Sequence, residues 1–307
     1  MTLQEKLRLI QRIARKPQEG LARQFGVSFA TFNSWFNGRS VPRKLARERI
    51  DQFYLKITGQ NVIPREALDA KKQVIEKRRN AAGRILRTIL KYKDVYDQLM
   101  LSLTYHSNRI EGNTLTEPET AAILFEDAAI PNKSVIEHLE VKNHQAATQF
   151  LYRHLEEGAG LDESFILRLH GILMNSIKED AGSYRSHNVR IAGANVPTTN
   201  YLKVPRLMRE IAADASRKAA DVIEHATKVH SRFEQIHPFS DGNGRVGRLL
   251  LNAMLLKRNY PPAVIEQESR RFYILFLSKS QLEDDTSLLE DFICDAVLGG
   301  FDIVEQK

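Results

Sequence analysis

Twelve residues, 237–248, concentrate the groups that chemistry on a phosphate ester requires. The stretch reads HPFSDGNGRVGR. His237 can accept a proton near neutral pH, and Asp241 offers a hard carboxylate of the kind that holds Mg²⁺ together with substrate phosphates. Arg245 and Arg248 are three residues apart, so both can lean towards one ligand on a helix. These residue types indicate phosphoryl or nucleotidyl transfer from a magnesium-bound nucleotide.

Glycines in the same stretch shape the backbone around an anion. Gly242 and Gly244 permit a tight turn and let an anion approach the main chain closely. A helix is predicted to follow over RVGRLLLNAMLLKR, and its N-terminal N–H groups and positive dipole end would point at the occupant of the turn. The predicted buried face of this helix comprises Val246, Leu249, Leu250 and Met254.

The run from Gly242 to Gly247 also matches G-x-G-x-x-G, the dinucleotide-binding fingerprint. That fingerprint requires a β-strand before it within a βαβ unit, whereas the preceding segment EHATKVHSRFEQIHPF is polar and helical in pattern. Alternating strands are missing from the sequence pattern, and neither a GK[ST] P-loop nor the protein-kinase motif set occurs. The pattern therefore excludes a Rossmann domain.

The stretch resembles the signature of the Fic family, H-P-F-x-[DE]-G-N-G-R-x-x-R, and every signature position is filled. The similarity extends upstream, and a weaker similarity covers about 140 to 293; the matching upstream positions are Ala226, His230, Phe233 and Ile236. Most Fic proteins are adenylyltransferases that move AMP from ATP to a hydroxyl group of a target protein. The family fold is an α-helical bundle with a β-hairpin flap, which the resemblance implies for this chain.

The resemblance also implies a role for each signature residue. His237 would take the proton from an attacking Tyr, Thr or Ser hydroxyl, and Asp241 would hold Mg²⁺ between the α- and β-phosphates of ATP. Asn243 and the amides around Gly242 and Gly244 would cradle the α-phosphate, and the two arginines would hold the β- and γ-phosphates. Phe239 would anchor the loop in the core. The nucleotide-binding set comprises Phe239, Gly242, Asn243, Gly244, Arg245 and Arg248.

A second motif lies far upstream. SNRIEG, residues 107–112, resembles the inhibitory motif of the same family, [ST]-x-x-x-E-[GN]. Ser107 and Glu111 are four apart and share a helical face, and Gly112 closes the motif. In the family this glutamate pairs with the second arginine of the signature, here Arg248. The resemblance implies that ATP could still bind, with its α-phosphate misaligned for attack.

Most of the remaining sequence is helical in pattern. Apolar residues recur at three- and four-residue spacing in nearly every long segment, and strand-like alternation occurs only in NVRIAGANVPTTNYLKV, where Gly193 and Asn195 could form a turn. We predict an all-α protein in which residues 189–204 form the flap, with Tyr201 as a candidate self-modification site. The isolated histidines are expected to be ordinary helix or loop residues: His144, His170 and His187.

Charge divides the chain. Residues 1–57 contain 12 Lys+Arg against 4 Asp+Glu, whereas residues 58–307 contain 33 against 34. The excess positive charge therefore lies at the N-terminus, and nucleic acid is the usual acidic partner of such a module. We predict three regions: a basic domain over 1–57, a helical linker with the inhibitory helix over 58–133, and the catalytic domain over 134–307.

The basic region resembles the helix-turn-helix of the Cro and phage-repressor family in GLARQFGVSFATFNSWFNG, residues 20–38. The resemblance implies that Phe29, Ala30, Asn33 and Ser34 face the major groove of DNA; the residues suited to phosphates are Arg39, Arg43 and Lys44. Phe29 and Ala30 cannot form bidentate hydrogen bonds with base edges, so they cannot read a sequence in that way. The alternative is a helical bundle for homodimerisation or for docking a protein.

Three functions are compatible with these patterns. The first is a self-inhibited protein adenylyltransferase with a DNA-binding appendage, an arrangement analogous to toxin–antitoxin pairs. The second uses the same site to remove AMP from a modified protein, with Glu111 positioning a water molecule. The third is a transcriptional regulator that senses a nucleotide.

The cysteine content and the apolar segments of the sequence predict the cellular compartment. The single cysteine, Cys294, excludes an internal disulfide and is typical of a reducing cytosol. The segment MTLQEKLRLIQRIARK lacks the apolar run of a signal peptide, and no apolar stretch approaches the length of a membrane span. We therefore expect a cytoplasmic protein without a membrane partner.

Overall fold

A computed structural model describes residues 2–58, 63–189 and 196–306. The chain divides into two compact units, Met1–Ile63 and Pro64–Lys307. Every regular element among the described residues is a helix. None of these helices is both long enough and apolar enough to cross a lipid bilayer.

The described residues of the first unit form four helices: α1 (Leu3–Ala14), α2 (Gln18–Gln24), α3 (Phe29–Phe36) and α4 (Lys44–Thr58). Between α2 and α3 the chain turns at Gly26, whose φ of 68° lies in the left-handed region that glycine adopts without strain. Ser28 then caps α3 by accepting a hydrogen bond from the N–H of Thr31. The rings of Phe25 and Phe32 stack in the core, with centroids 6.0 Å apart.

The second unit contains eleven α-helices among its described residues. They are α5 (Arg65–Ala81), α6 (Ile85–Lys91), α7 (Lys93–Glu111), α8 (Glu117–Glu126), α9 (Val135–Glu156), α10 (Glu163–Leu173), α11 (Val204–Ser216), α12 (Val222–Ile236), α13 (Asn243–Lys257), α14 (Arg270–Glu283) and α15 (Ser287–Val304). Two short 3-10 helices, Tyr201–Lys203 and Gln267–Ser269, precede α11 and α14.

Helix α13 lies at the centre of this unit. Its predicted apolar face is buried, and so is nearly every other residue from Asn243 to Leu256, because α7, α9, α10 and α12 all pack around it. The helix begins at Asn243, two residues earlier than predicted, so Gly244 belongs to its first turn and only Gly242 supplies a left-handed backbone, at φ 75°. A helix that is buried on all sides is a rigid base for a site at its N-terminus.

Only part of the predicted flap lies within the described residues. Its turn residues, Gly193 and Asn195, lie outside the described residues, and the described segments on either side contain no strand. The prediction that the flap reaches residue 204 is wrong: Tyr201–Lys203 form a 3-10 turn and α11 begins at Val204. The cause is local, since the side chain of Asn200 accepts a hydrogen bond from the N–H of Leu202 and caps the turn.

Candidate active site

His237 ends helix α12 in a left-handed conformation, with φ 51° and ψ 62°. Its Nδ1 atom lies 3.2 Å from the carbonyl oxygen of Glu234, an acceptor, so Nδ1 carries the proton and Nε2 is left with a lone pair. Burial lowers the pKa of His237, which keeps the ring neutral at physiological pH. The structure therefore holds the residue in the tautomer that a general base needs.

The loop after His237 is closed by side-chain hydrogen bonds. Asn243 accepts from the backbone N–H of Phe239 at 2.8 Å and donates to its carbonyl oxygen at 2.9 Å. The Phe239 ring is fully buried and stacks on His170, with centroids 3.7 Å apart. Phe239 is thus buried in the core as expected of an anchor, whereas the side chain of Asn243, expected to contact the α-phosphate, is hydrogen-bonded to the backbone of Phe239 and closes the loop.

His170 is more than an ordinary helix residue. Its Nδ1 accepts from the N–H of Gly182 at 2.9 Å, so the proton is on Nε2, which donates to the carbonyl oxygen of Asp241 at 3.1 Å. Burial lowers its pKa to about 4, which preserves this neutral form. His170 therefore supports the loop through its hydrogen bond to Asp241 and its stacking on Phe239. No local pattern predicts this contact, because it joins positions 71 residues apart.

Asp241 points its carboxylate into the open side of the loop, where the side chain is 44% exposed. Oδ1 accepts from the N–H of Gly242 at 2.7 Å, while Lys178 and Arg245 lie 3.4 and 3.5 Å from the carboxylate. A half-exposed hard oxygen donor suits a metal ion that is shared with substrate phosphates.

The two signature arginines contact different carboxylates. Arg245 is buried and donates to Glu140 on α9 at 2.7 Å. Glu140 also accepts from Asn113, just beyond the end of α7, at 2.8 Å. Arg245 therefore connects the signature helix to the residue that follows α7, and it does not line the cavity at the N-terminus of α13.

Arg248 is clamped by the end of α7. Its Nε donates to the hydroxyl of Ser107 at 3.0 Å, and one terminal nitrogen donates both to the Ser107 carbonyl oxygen at 3.0 Å and to Glu111 Oε1 at 2.8 Å. Gly112, at φ 107°, ends α7 directly after Glu111. The ion pair that the upstream motif implied is therefore present in the geometry.

Glu111 also occupies space at the N-terminus of α13. A Cβ atom built on Gly244 would overlap the Glu111 carboxylate, so glycine is required for this close approach. The cavity that Glu111, His237, Gly244 and Arg248 share measures about 110 Å³. Ligand pockets for small molecules usually measure about 300 to 1,000 Å³. With Glu111 in place, the cavity is smaller than this usual range.

Behind Arg248 lies a buried polar network that sequence reasoning missed. His230 donates from Nδ1 to the Gly247 carbonyl oxygen at 3.1 Å, so its Nε2 accepts from the hydroxyl of Tyr273 at 2.7 Å. Burial lowers the pKa of His230 to about 3 and raises that of Glu234 to about 8, so both groups are neutral at pH 7. Arg248 is thus the charged member of this interior group.

Helix α14 forms one wall of the cavity, with both apolar and polar side chains. The residues that it contributes are Arg270, Tyr273, Ile274, Leu277, Ser278 and Gln281. These positions have no motif of their own and show ordinary helical periodicity, so they could not be singled out from the sequence. A mixture of apolar side chains and a few polar groups is typical of small-molecule pockets in general.

In the first unit, the predicted DNA-facing residues differ in exposure. Phe29 and Ala30 are exposed, but Asn33 and Ser34 are half-buried and engaged, with Gln18 at 2.9 Å and with the hydroxyl of Ser40 at 2.8 Å. The three predicted phosphate contacts are all exposed: Arg39, Arg43 and Lys44.

Comparisons with known proteins agree on one family. Residues 160–255 match the model of the Fic/DOC family. The chain is similar to Protein adenylyltransferase Fic of Aedes aegypti, at 30% identity over 75% of this chain and 47% of the relative. It is also similar to Protein adenylyltransferase fic-1 of Caenorhabditis briggsae, at 37% identity over 59% of this chain and 36% of the relative. This chain therefore spans about half the length of these curated relatives, or less.

Solved structures share the fold. A Fic domain containing signaling protein from Bacteroides thetaiotaomicron matches with a TM-score of 0.66 and 23% identity, over 77% of this chain and 98% of the other. Fic-1 from Caenorhabditis elegans matches with a TM-score of 0.64 and 22% identity, over 96% and 98%. At these identities the likeness establishes the helical architecture.

Proposed function

With the Fic family that these comparisons support as the premise, we propose that this protein transfers AMP from ATP to a hydroxyl group of a target protein. The observation that carries the proposal is the pairing of a neutral His237, with a free Nε2, and the N-terminus of α13 in one cavity. One group accepts a proton and the other favours an anion.

His237 and the first turn of α13 divide the reaction between them. Nε2 of His237 takes the proton of the attacking hydroxyl as its oxygen forms a bond to the α-phosphorus. Negative charge then grows on the α-phosphate oxygens, and the N–H groups of the first turn of α13 have no partner within the helix and can donate to them. Pyrophosphate leaves, and AMP remains bonded to the target.

Asp241 is the residue proposed to hold Mg²⁺, since its half-exposed carboxylate is a hard donor that protein contacts leave accessible. A magnesium ion there would offset the negative charge of the substrate phosphates. The ammonium group of Lys178 lies 3.4 Å from the same carboxylate and would have to move away when the ion binds.

Helix α14 is proposed to receive the nucleoside. Ile274 and Leu277 offer apolar contact to the flat face of a purine, whereas Ser278 and Gln281 offer polar atoms at the same wall. ATP as the donor rests on the names of the relatives.

Glu111 is proposed to restrain the enzyme. Its carboxylate pairs with Arg248 and lies over Gly244, and these are the positions that phosphate groups of the nucleotide would need. An anionic side chain at a helix N-terminus is favoured by the same interactions that favour a phosphate. Glu111 therefore competes with the substrate for one set of donors.

Loss of AMP transfer in His237→Ala tests the proposal. The protein is incubated with Mg²⁺ and a mixture of ATP, GTP, CTP and UTP, and intact-mass spectrometry reports which nucleotide adds mass to the protein or to a cell extract. We expect an added mass of one AMP that needs His237, with ATP binding retained in the variant by calorimetry. No added nucleotide in either the wild-type protein or Glu111→Gly would refute the activity.

Removal of AMP is a second candidate for the same site, because Glu111 and His237 line one cavity and a water molecule could be held between them. Incubation with a protein that already carries AMP distinguishes the two reactions. Under this alternative, Glu111→Gly loses the removal of AMP while transfer rises. If the wild-type protein leaves the modified protein intact, this alternative fails.

For the first unit we propose DNA contact through its exposed basic residues, Arg39, Arg43 and Lys44, which follow α3 closely in the chain. Changing all three to Ala should weaken binding of duplex DNA in a gel-shift assay and flatten its dependence on salt. The matched control changes three exposed basic residues of the second unit: Arg84, Arg87 and Lys91. Equal affinity of both triple variants would contradict the proposal.

A further inference from the structure

Arg185 is the buried cation nearest to the backbone of His237. Only 3% of the residue is exposed, yet the hydrogen bonds that its guanidinium forms with described residues all end on backbone carbonyl oxygens. Burying a charged group is costly unless hydrogen bonds replace its water, and a guanidinium offers five donors in a fixed plane. The backbone carbonyl oxygens around the guanidinium, here called the fan, therefore stabilise the buried charge.

One side of the fan holds the end of helix α12. Nε of Arg185 donates to the carbonyl oxygen of His237 at 2.7 Å, and one terminal nitrogen donates to that of Ile236 at 3.3 Å. The backbone N–H of Arg185 donates to Pro238 at 3.0 Å. Three consecutive carbonyl groups are thus fixed by one residue. Since His237 has a left-handed backbone, its orientation depends on such outside support.

The other side of the fan holds the segment predicted to be the flap. One terminal nitrogen donates to the carbonyl oxygen of His187 at 2.6 Å and the other to that of Thr199 at 2.5 Å. Between these two positions, Thr198 donates to the Val189 carbonyl oxygen at 2.6 Å. Both ends of the segment 187–199 therefore meet at the guanidinium that also fixes His237.

We propose that Arg185 is a positioning residue for the transfer reaction: it fixes the backbone of His237 and ties it to both ends of segment 187–199, so that the base and this segment keep one relative geometry. The inference rests on the proposed function, with His237 as the base. Arg185 does not line the cavity that contains Gly244 and Arg248, so its effect is on the chemical step rather than on nucleotide affinity.

The charge of Arg185 gives the proposal a distinctive signature. Burial lowers the pKa of His237 and the positive charge of Arg185 lowers it further, whereas the hydrogen bond to Glu234 and the charges of Glu111 and Asp241 raise it. Removing the charge of Arg185 should raise the pKa of His237. The acid limb of the rate profile then moves to higher pH, because the base is protonated over a wider range.

Two variants separate geometry from charge. Arg185→Lys keeps the charge but cannot reproduce the planar fan, and Arg185→Met loses both. Because a misplaced catalytic group can cost about a hundredfold in rate, we expect kcat for AMP transfer to fall about 10- to 100-fold in both variants, with an unchanged Kd for ATP. Only Arg185→Met should shift the acid limb upward.

The control is Arg232→Met, which removes a half-exposed arginine of α12 that pairs with Glu210 and Asp214. It should leave kcat and the pH profile as in the wild-type protein. Circular dichroism establishes that each variant is folded, and if Arg185→Met is not, Arg185→Lys still tests the geometry. A kcat within twofold of wild type for Arg185→Lys, or an acid limb that is the same in folded Arg185→Met and Arg185→Lys, overturns the proposal.

A measurement without turnover separates this inference from the proposed function. In protein with ¹³C-labelled histidine, NMR titration gives the pKa of His237, assigned by comparison with His237→Ala. A higher pKa in Arg185→Met than in wild type and Arg185→Lys supports the positioning contact even if the wild-type protein transfers no AMP. Equal values in all three count against it.

Discussion

Glu111→Gly should increase AMP transfer, because the carboxylate of Glu111 holds Arg248 and covers Gly244. Glycine removes both effects together. Glu111→Gln tests them separately, since the amide has nearly the same size but cannot form the ion pair. If charge pairing is the main restraint, both variants are activated; if occupied space is the main restraint, only glycine activates.

The structure sets the size of the effect. One charge-assisted hydrogen bond of 2.8 Å joins Arg248 to Glu111, and such bonds contribute about 1.5 to 3 kcal/mol. Since about 1.4 kcal/mol corresponds to a tenfold change in population, this bond alone could suppress the open state about 10- to 150-fold. The Glu111 side chain is 33% exposed and solvent weakens its pairing, so we expect activation of about 10- to 50-fold.

The assay measures incorporation of labelled AMP into the protein itself and into a cell extract, at saturating Mg²⁺ and several ATP concentrations. Glu157→Gly is the matched control, because Glu157 is an exposed glutamate at the end of another helix, α9. It should behave as the wild-type protein. Rates within twofold of wild type for both Glu111 variants, in folded protein that binds ATP, would refute the inhibitory role of Glu111.

Three further predictions concern neighbouring contacts. Gly244→Ala should displace the Glu111 carboxylate yet fill the same space, so calorimetry should show at least tenfold weaker ATP binding; unchanged affinity would contradict the placement of phosphates there. Asn113→Ala removes the hydrogen bond to Glu140 that restrains the chain after α7, so AMP transfer should rise less than tenfold, and a fall in rate would argue against this restraint. Burial lowers the pKa of His144 to about 3, so unfolding takes up a proton there as the pH falls below 6.5. The free energy of unfolding in urea should therefore drop less between pH 6.5 and 5 in His144→Gln than in the wild-type protein, by a difference that approaches about 1.4 kcal/mol per pH unit at pH 5. Equal slopes in the two proteins would contradict the buried neutral state.

Residues that act through local patterns were predictable from the sequence. The turn at Gly242, the anchor Phe239 and the buried α13 follow from spacing and residue type, because a tight turn, a core ring and a helix each leave a signal within a few positions. The contact between Glu111 and Arg248 spans 137 residues and was found only through the resemblance of two short motifs to one family.

Other site residues could not be found in this way. Arg185, Glu140 and Tyr273 act on the signature across distances of 25 to 105 residues in the chain, and each lies in a segment that reads as ordinary loop or helix. Their partners are backbone carbonyls or buried ions, which no periodicity encodes. For the same reason the sequence suggested that Arg245 and Arg248 share one ligand, whereas carboxylates from different elements hold them apart.

At His237 the left-handed backbone lowers the stability of the fold, while the side chain carries the proposed catalytic role. A residue with a Cβ atom is strained in this conformation. Glycine would relieve the strain at the end of α12 and raise the free energy of unfolding by up to about 1 kcal/mol. The relaxed protein would lose the imidazole together with the strain. Selection for thermal stability alone would therefore favour substitutions that abolish the proposed AMP transfer. Among stabilised variants changed at this residue, most should lack that activity.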